Sequence, residues 1–170
     1  SVNGNPDSGP TRLGLAMVDI GTGLYAGNAI LMALLERERS GIGQYLDMTL
    51  YDCGLSLMHP HVPNYFTSGG KVPGLTGNSH PNIAPYDLFD TKTCQIFIAG
   101  GNDRAWRRLC EEVGRPELGE DPRFLTNSDR QTNKAELKEE LKGVFADVDG
   151  EVFCEKLLAA GLPVGPIRNT

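Results

Sequence analysis

The stretch Val18-Asp19-Ile20-Gly21-Thr22-Gly23 decides how the first third of the chain is read. An apolar run, residues 13–20, carries a lone carboxylate into two glycines that flank a threonine. A strongly apolar segment follows over residues 24–35 and turns charged at Glu36-Arg37-Glu38-Arg39 before Gly41. The pattern predicts a strand over residues 13–20, a glycine turn, and a helix over residues 22–38. Asp19 then stands at the mouth of the turn, and two roles are open to it. It can be an N-cap, because an aspartate before a helix commonly accepts backbone N–H bonds. It can also be a nucleophile. Thr22 would cap equally well, leaving Asp19 free. The positive end of the helix dipole stabilises negative charge there. Flanking glycines admit a bulky ligand close to the backbone, and a carboxylate can attack an activated acyl carbon.

Outward from this stretch, the helix is apolar around most of its circumference, so it needs cover from other elements. Gly41 is a natural C′ residue. Residues 44–49 alternate as a strand, and a second helix runs from Leu50 to Met58, ahead of Pro60. Strand, helix, strand, helix is the grammar of an α/β domain. Two strands and two helices are too few to close one. Residues 60–85 are rich in proline and glycine and read as a linker or functional loop. Beyond them, residues 86–90 and 94–99 form a hairpin. Asn102 caps a helix over residues 103–113 that ends at Gly114 and Pro116. Residues 121–128 read as irregular. Asn133-Lys134-Ala135-Glu136 is a capping-box-like start to a helix with Leu137, Leu141, Val144 and Phe145 on one face. Asp149 starts another, ended by Gly161 and Pro163. The expected organisation is residues 1–59 as part of a large domain carrying Asp19, residues 60–85 as linker, and residues 86–170 as a small α+β domain.

Composition narrows the function classes. The 170 residues carry a formal net charge of −6 and no basic cluster, which disfavours nucleic acid as a partner. Twenty-one glycines and eleven prolines indicate many loops. The four cysteines, Cys53, Cys94, Cys110 and Cys154, form no C-x-x-C pair and sit in apolar segments, so free buried thiols are expected. Residues 1–12 are polar, without a leader pattern. The apolar stretch over residues 24–35 is short for a membrane span and is broken by Asn28. The expectation is a soluble cytoplasmic protein with no membrane association.

Other candidate groups carry weaker signals. His59-Pro60-His61 matches no zinc-ligand spacing, so no metal site is expected. His80 lies in Gly77-Asn78-Ser79-His80-Pro81-Asn82, a loop suited to closing over a site. Gly100-Gly101-Asn102-Asp103 reads either as an anion-binding helix start or as a tight turn. Trp106 reads as core, and the acidic residues 136, 139 and 140 as a solvated helix face.

Several stretches taken in order resemble the class III CoA-transferase family, which includes formyl-CoA transferase, carnitine CoA-transferase and α-methylacyl-CoA racemase relatives (the CaiB/BaiF type). They are Gly14-Leu-Ala-Met-Val-Asp19-Ile-Gly-Thr-Gly-Leu-Tyr-Ala26, Ala33-Leu-Leu-Glu-Arg-Glu-Arg-Ser-Gly41-Ile-Gly-Gln-Tyr-Leu-Asp47, Gly77-Asn-Ser-His-Pro-Asn-Ile-Ala-Pro-Tyr86 and Gly101-Asn-Asp-Arg-Ala-Trp-Arg-Arg-Leu-Cys110. Asp121-Pro-Arg-Phe-Leu-Thr-Asn127 and Gly161-Leu-Pro-Val-Gly-Pro166 join them.

The resemblance implies that Asp19 is the catalytic carboxylate, attacking an acyl-CoA thioester and passing CoA to a carboxylic acid through an aspartyl intermediate. In the racemase branch the matching aspartate works as acid/base with a histidine from a segment not present in this chain. The resemblance further implies substrate contacts from Gly77, Asn78 and His80, and a CoA contact at Leu50. The loop lacks the run of consecutive glycines found in some relatives. Coenzyme A enters as a thioester substrate, with no tightly bound cofactor and no metal. The implied fold is α/β: part of a Rossmann-like large domain joined by a long linker to a small α+β domain, in an interlocked homodimer. The chain reads as an internal fragment of a longer protein, catalytically incompetent by itself.

Overall fold

Met17–Ser40 is one unbroken helix, α1, and it absorbs residues 17–20 of the run expected to be a strand, while residues 13–16 have no regular structure. The computed structural model describes residues 2–169. A short apolar run is ambiguous between strand and helix, and here nothing stops the helix from starting before the glycines. Gly21 is inside α1, where a Cβ would come within 2.4 Å of Leu57 Cδ1. The glycine therefore serves helix–helix contact, not a turn. Helix α2, Leu50–Leu57, supplies that contact. Val18 packs over Gly54, and the Tyr25 and Ser56 hydroxyls lie 2.9 Å apart. α1 ends at Gly41, whose φ of 72° is left-handed and whose N–H donates to the Arg37 carbonyl at 2.8 Å.

Residues 41–49 have no regular structure, against the expected second strand. Alternation alone does not make a strand; its backbone groups need a neighbour to pair with, and no described segment pairs with this one. The extended Thr49 instead caps α2, accepting from Asp52 N at 3.0 Å. Helix α3, His61–Thr67, lies within the stretch expected to be a linker. Near the amino terminus there is a small hairpin, β1 (Gly4–Asn5) against β2 (Gly9–Pro10). The β-α-β-α order is thus not found among the described residues up to Gly77. The chain divides into two compact units at Gly77/Asn78.

α1 meets the need for cover only in part. Leu24, Leu31 and Met32 are each about two-thirds exposed or more, and Gly21 is the one buried residue of the helix. By length and composition Met17–Ser40 would suffice to cross a membrane, and so would the core helix of a larger fold. Its polar side chains bond to their own backbone four residues back, as with Thr22 to Val18 O and Asn28 to Leu24 O.

The unit from Asn78 onward has its own core. Strands β3 (Tyr86–Asp90), β4 (Gln95–Ala99) and β5 (Val164–Pro166) form an antiparallel sheet in that order. Phe89, Ile96 and Ile98 point inward and meet Trp106 and Leu109 of α4 (Asp103–Glu112), Leu137, Leu141 and Phe145 of α6 (Lys134–Phe145), and Phe153 and Leu157 of α7 (Gly150–Ala159). Full burial of such side chains is worth about 1.5–3 kcal/mol each. Asn102 caps α4 through Ala105 N, and Asp149 caps α7 through Glu151 N and Val152 N. The expected capping box at Asn133 is not formed. It occurs instead at Thr126 and Asp129, starting α5 (Asn127–Thr132) inside the stretch expected to be irregular. Asn133 donates instead to the Arg123 and Asp129 carbonyls. All four cysteines are free, and burial pushes the Cys110 thiol up to about 12.

Candidate active site

Asp19 lies in the first turn of α1 and is exposed. The N-terminal residue of the helix is capped by Ala16, which makes no side-chain cap bond, so neither Asp19 nor Thr22 is the cap. Among the described residues the Asp19 carboxylate has no hydrogen-bond or ion-pair partner. A charge at this position faces the positive end of a 24-residue helix. The support beneath it is tight, because its neighbours Val18 and Gly21 pack against α2. Leu50 is the first residue of α2 and is half-exposed, directly after the Thr49 cap.

The loop residues divide between the two units. Gly77 belongs to the first, with φ 62° and its N–H on the Gly4 carbonyl at 2.9 Å. A Cβ at Gly77 would meet Asn5 Oδ1 at 2.3 Å, so both conformation and space call for glycine. Asn78 is exposed and His80 half-buried, both in the second unit.

The loop around His80 is bonded on every side. Its N–H donates to Tyr86 O at 3.1 Å, and its Nδ1 accepts from Asn82 N at 3.0 Å. Its ring lies 5.0 Å from that of Tyr86, which in turn meets Phe97 edge-on. Asn127 donates to Asn82 O at 2.8 Å and accepts from Ala84 N at 3.1 Å. From α6, Lys134 Nζ donates to His80 O at 2.7 Å. Ser79 donates to Asp87 Oδ2, which also accepts from Lys138 Nζ at 2.8 Å.

Beside the loop is an open cleft of about 480 Å³ lined by Ile83, Tyr86, Ala99, Gly101, Asn102, Asp103 and Asn127. Arg130 forms its buried frame. The guanidinium is fully buried and donates to Ala84 O, Phe124 O, Leu125 O, Gly101 O and Asp103 Oδ1 at 2.6–3.3 Å. Gly101 is explained by close approach, since a Cβ there would overlap Ile83 Cγ2 at 1.5 Å. His61 opens α3 with its Nδ1 buried and unpartnered. Among the described residues no three His, Cys, Asp or Glu side chains come together as a metal site would require.

Sequence reasoning missed Asp87, Lys134, Lys138 and Arg130. Asp87 did carry a signal, because the strand's period of two puts it on the same inward face as Phe89. Lys134 and Lys138 stand four apart beside Leu137 and Leu141, which places both at the margin of the apolar face. Arg130 had no local signal, since its partners lie 5–46 residues away.

A mixed α/β chain with this order of elements has counterparts among known proteins. The chain matches CoA-transferase family III over residues 1–170, and it belongs to that family. It is similar to the acetyl-CoA:oxalate CoA-transferase of Acetobacter aceti, 36% identical over 167 residues, which are 98% of this chain and 43% of that protein. The succinate–glutarate CoA-transferase of Agrobacterium fabrum is 35% identical over 169 residues, 99% of this chain and 42% of the relative. Among solved structures, a CAIB/BAIF family protein from Brucella suis superposes with a TM-score of 0.71 at 40% identity, over 99% of this chain and 44% of that one. Rv3272 from Mycobacterium tuberculosis superposes with a TM-score of 0.80 at 28% identity, over 98% and 42%. The chain spans less than half the length of the curated relatives it matches.

Proposed function

We propose that the full-length protein carrying this chain moves CoA from an acyl-CoA to a carboxylic acid, with Asp19 as the nucleophile. The observation that carries this reading is the exposed carboxylate in the first turn of α1, without a hydrogen-bond or ion-pair partner among the described residues, in a chain that belongs to CoA-transferase family III. An Asp19 oxygen attacks the thioester carbonyl carbon, and the C–S bond breaks to give a mixed anhydride and CoA thiolate. The thiolate then attacks the Asp19 carbonyl and releases the donor acid as its carboxylate. The resulting aspartyl-CoA thioester is attacked by the acceptor carboxylate, forming a second anhydride and freeing the thiolate again. Attack of that thiolate on the acceptor acyl carbon yields the new acyl-CoA and restores Asp19. Covalent steps of this kind split one difficult exchange into easier ones.

In this reading α1 is the rigid support of Asp19. It is covered by the rest of a Rossmann-like large domain in an interlocked homodimer, inside a soluble cytoplasmic enzyme. Its uncovered apolar surface supports that view. Without the rest of the large domain the chain is inactive by itself. Residues 86–170 form the small domain, reached through residues 60–85, and Gly77, Asn78 and His80 contact substrate. Leu50 contacts CoA, which serves as a thioester substrate with no tightly bound cofactor.

The test is to incubate the full-length protein with acyl-CoA and trap with hydroxylamine. Peptide mass spectrometry should find modification at Asp19 alone, and Asp19→Asn should lower turnover at least a thousandfold. Full activity in Asp19→Asn would sink the proposal. Exchange of the substrate α-proton for solvent deuterium without CoA transfer would instead support racemase or epimerase chemistry, with Asp19 as acid/base.

A further inference from the structure

We infer that Lys134 is a positioning residue, which acts through the His80 carbonyl to hold the Ser79-His80 loop in its substrate-binding shape. The inference rests on the reading that this loop contacts substrate. Helix α6 sends two ammonium groups toward one short stretch of loop. Lys134 Nζ donates to His80 O at 2.7 Å. One turn on, Lys138 Nζ pairs with Asp87 Oδ2 at 2.8 Å, and the same oxygen accepts from the Ser79 hydroxyl. Asp87 Oδ1 accepts from Leu88 N at 2.7 Å, so the buried carboxylate is satisfied from three directions. Adjacent loop residues are thus gripped by adjacent turns of one helix.

Stability alone does not call for this arrangement. Like charges four apart on a helix repel. Burial lowers the Lys134 ammonium from the ordinary lysine range; the Asp87 charge opposes that shift and the Lys138 charge adds to it. The partner of the half-buried Lys134 is a neutral carbonyl, while the carboxylate goes to Lys138. An apolar side chain at position 134 would pack well against its neighbours Ala84, Pro85 and Leu137, with which it lines a small crevice. Retaining a partly desolvated cation there favours one loop conformation over a more stable core. The loop is also tied by His80 N to Tyr86 O and by Asn127 to Asn82 O, and the His80 carbonyl is the point where Lys134 takes hold.

The experiment uses the full-length protein and three variants, Lys134→Met, Lys134→Arg and Lys142→Met. Lys142 pairs with Glu139 on the outer face of α6 and is the control. Two readouts are taken: steady-state CoA transfer to a carboxylate acceptor, and amide hydrogen exchange of the peptide spanning residues 77–83. Lys134→Met should raise KM for the acceptor at least fivefold with kcat within twofold, and speed exchange in that peptide about tenfold. Lys134→Arg, which keeps the donor, should recover both to within twofold, and Lys142→Met should change neither. Unchanged KM in Lys134→Met, or a Lys134→Arg variant no better than Lys134→Met, overturns the inference. If the unsubstituted protein transfers no CoA, the transferase reading fails, and hydrogen exchange still decides the latch. Faster exchange restored by arginine then supports it, and unchanged exchange overturns it.

Discussion

Arg130 shows how much one side chain can hold together. Its guanidinium is fully buried, yet only one of its partners is charged, and that partner, Asp103, is partly exposed. The rest are backbone carbonyls from four separate residues. Buried carbonyls left without donors cost about 1–3 kcal/mol each. Arg130→Met keeps much of the volume and removes every donor. It is expected to destabilise the protein by about 3 kcal/mol or more, read as a drop in the urea midpoint of circular dichroism unfolding. A loss below 1 kcal/mol would mean that water replaces the guanidinium at little cost. Asp19 is the opposite kind of residue, a carboxylate with no hydrogen-bond or ion-pair partner among the described residues.

At the scale of the element, side-chain caps account for where α4, α5 and α7 begin. Asn102 and Asp149 cap α4 and α7 as their residue types predict. α5 starts from a reciprocal box in which Thr126 accepts from Asp129 N while the Asp129 carboxylate accepts from Thr126 N and the Thr126 hydroxyl. The hydroxyl bond first, and then the amide bond, hold the Asp129 carboxyl below the usual aspartate range. A carboxyl lowered on folding adds stability that is fully present above its unfolded value of about 4 and is lost as pH falls through the folded value. Asp121 behaves in the same way through Arg123, as does Glu117 through Arg115. Asp129→Asn should therefore be less stable at pH 7 and show a smaller fall in urea midpoint between pH 7 and pH 3 than the unsubstituted protein. An identical fall in both would show that the box carries none of the acid sensitivity.

At the scale of the molecule, the two units differ in how far they satisfy themselves. The second encloses Trp106, Phe124, Phe145, Ile96 and Ile98 almost completely. The first leaves Leu15, Leu24, Leu31, Met32, Leu35 and Tyr51 more than half exposed. A surface of that kind associates. Residues 1–170 as an isolated polypeptide are expected to bind a hydrophobic dye and to elute above monomer mass in light-scattering chromatography. Residues 78–170 alone should stay monomeric and dye-silent. A monomeric, dye-silent chain 1–170 would show that α1 is covered from within.

Local chemistry was enough for the elements whose signals lie side by side: the hairpin at residues 86–99, the caps at Asn102 and Asp149, and the left-handed glycines 41, 114 and 161. Each depends on backbone bonds spanning a few residues. The ordered set of motifs also pointed to the family to which the chain belongs. Tertiary structure alone decided that the Asp19 run is helix and that Gly21 makes room for Leu57. An eight-residue apolar segment fits either a strand or a helix, and the partner it packs against settles which. The same holds for Arg130, Asp87 and Lys134. A buried charge is tolerable only where distant groups converge on it, and no window of adjacent residues contains that convergence.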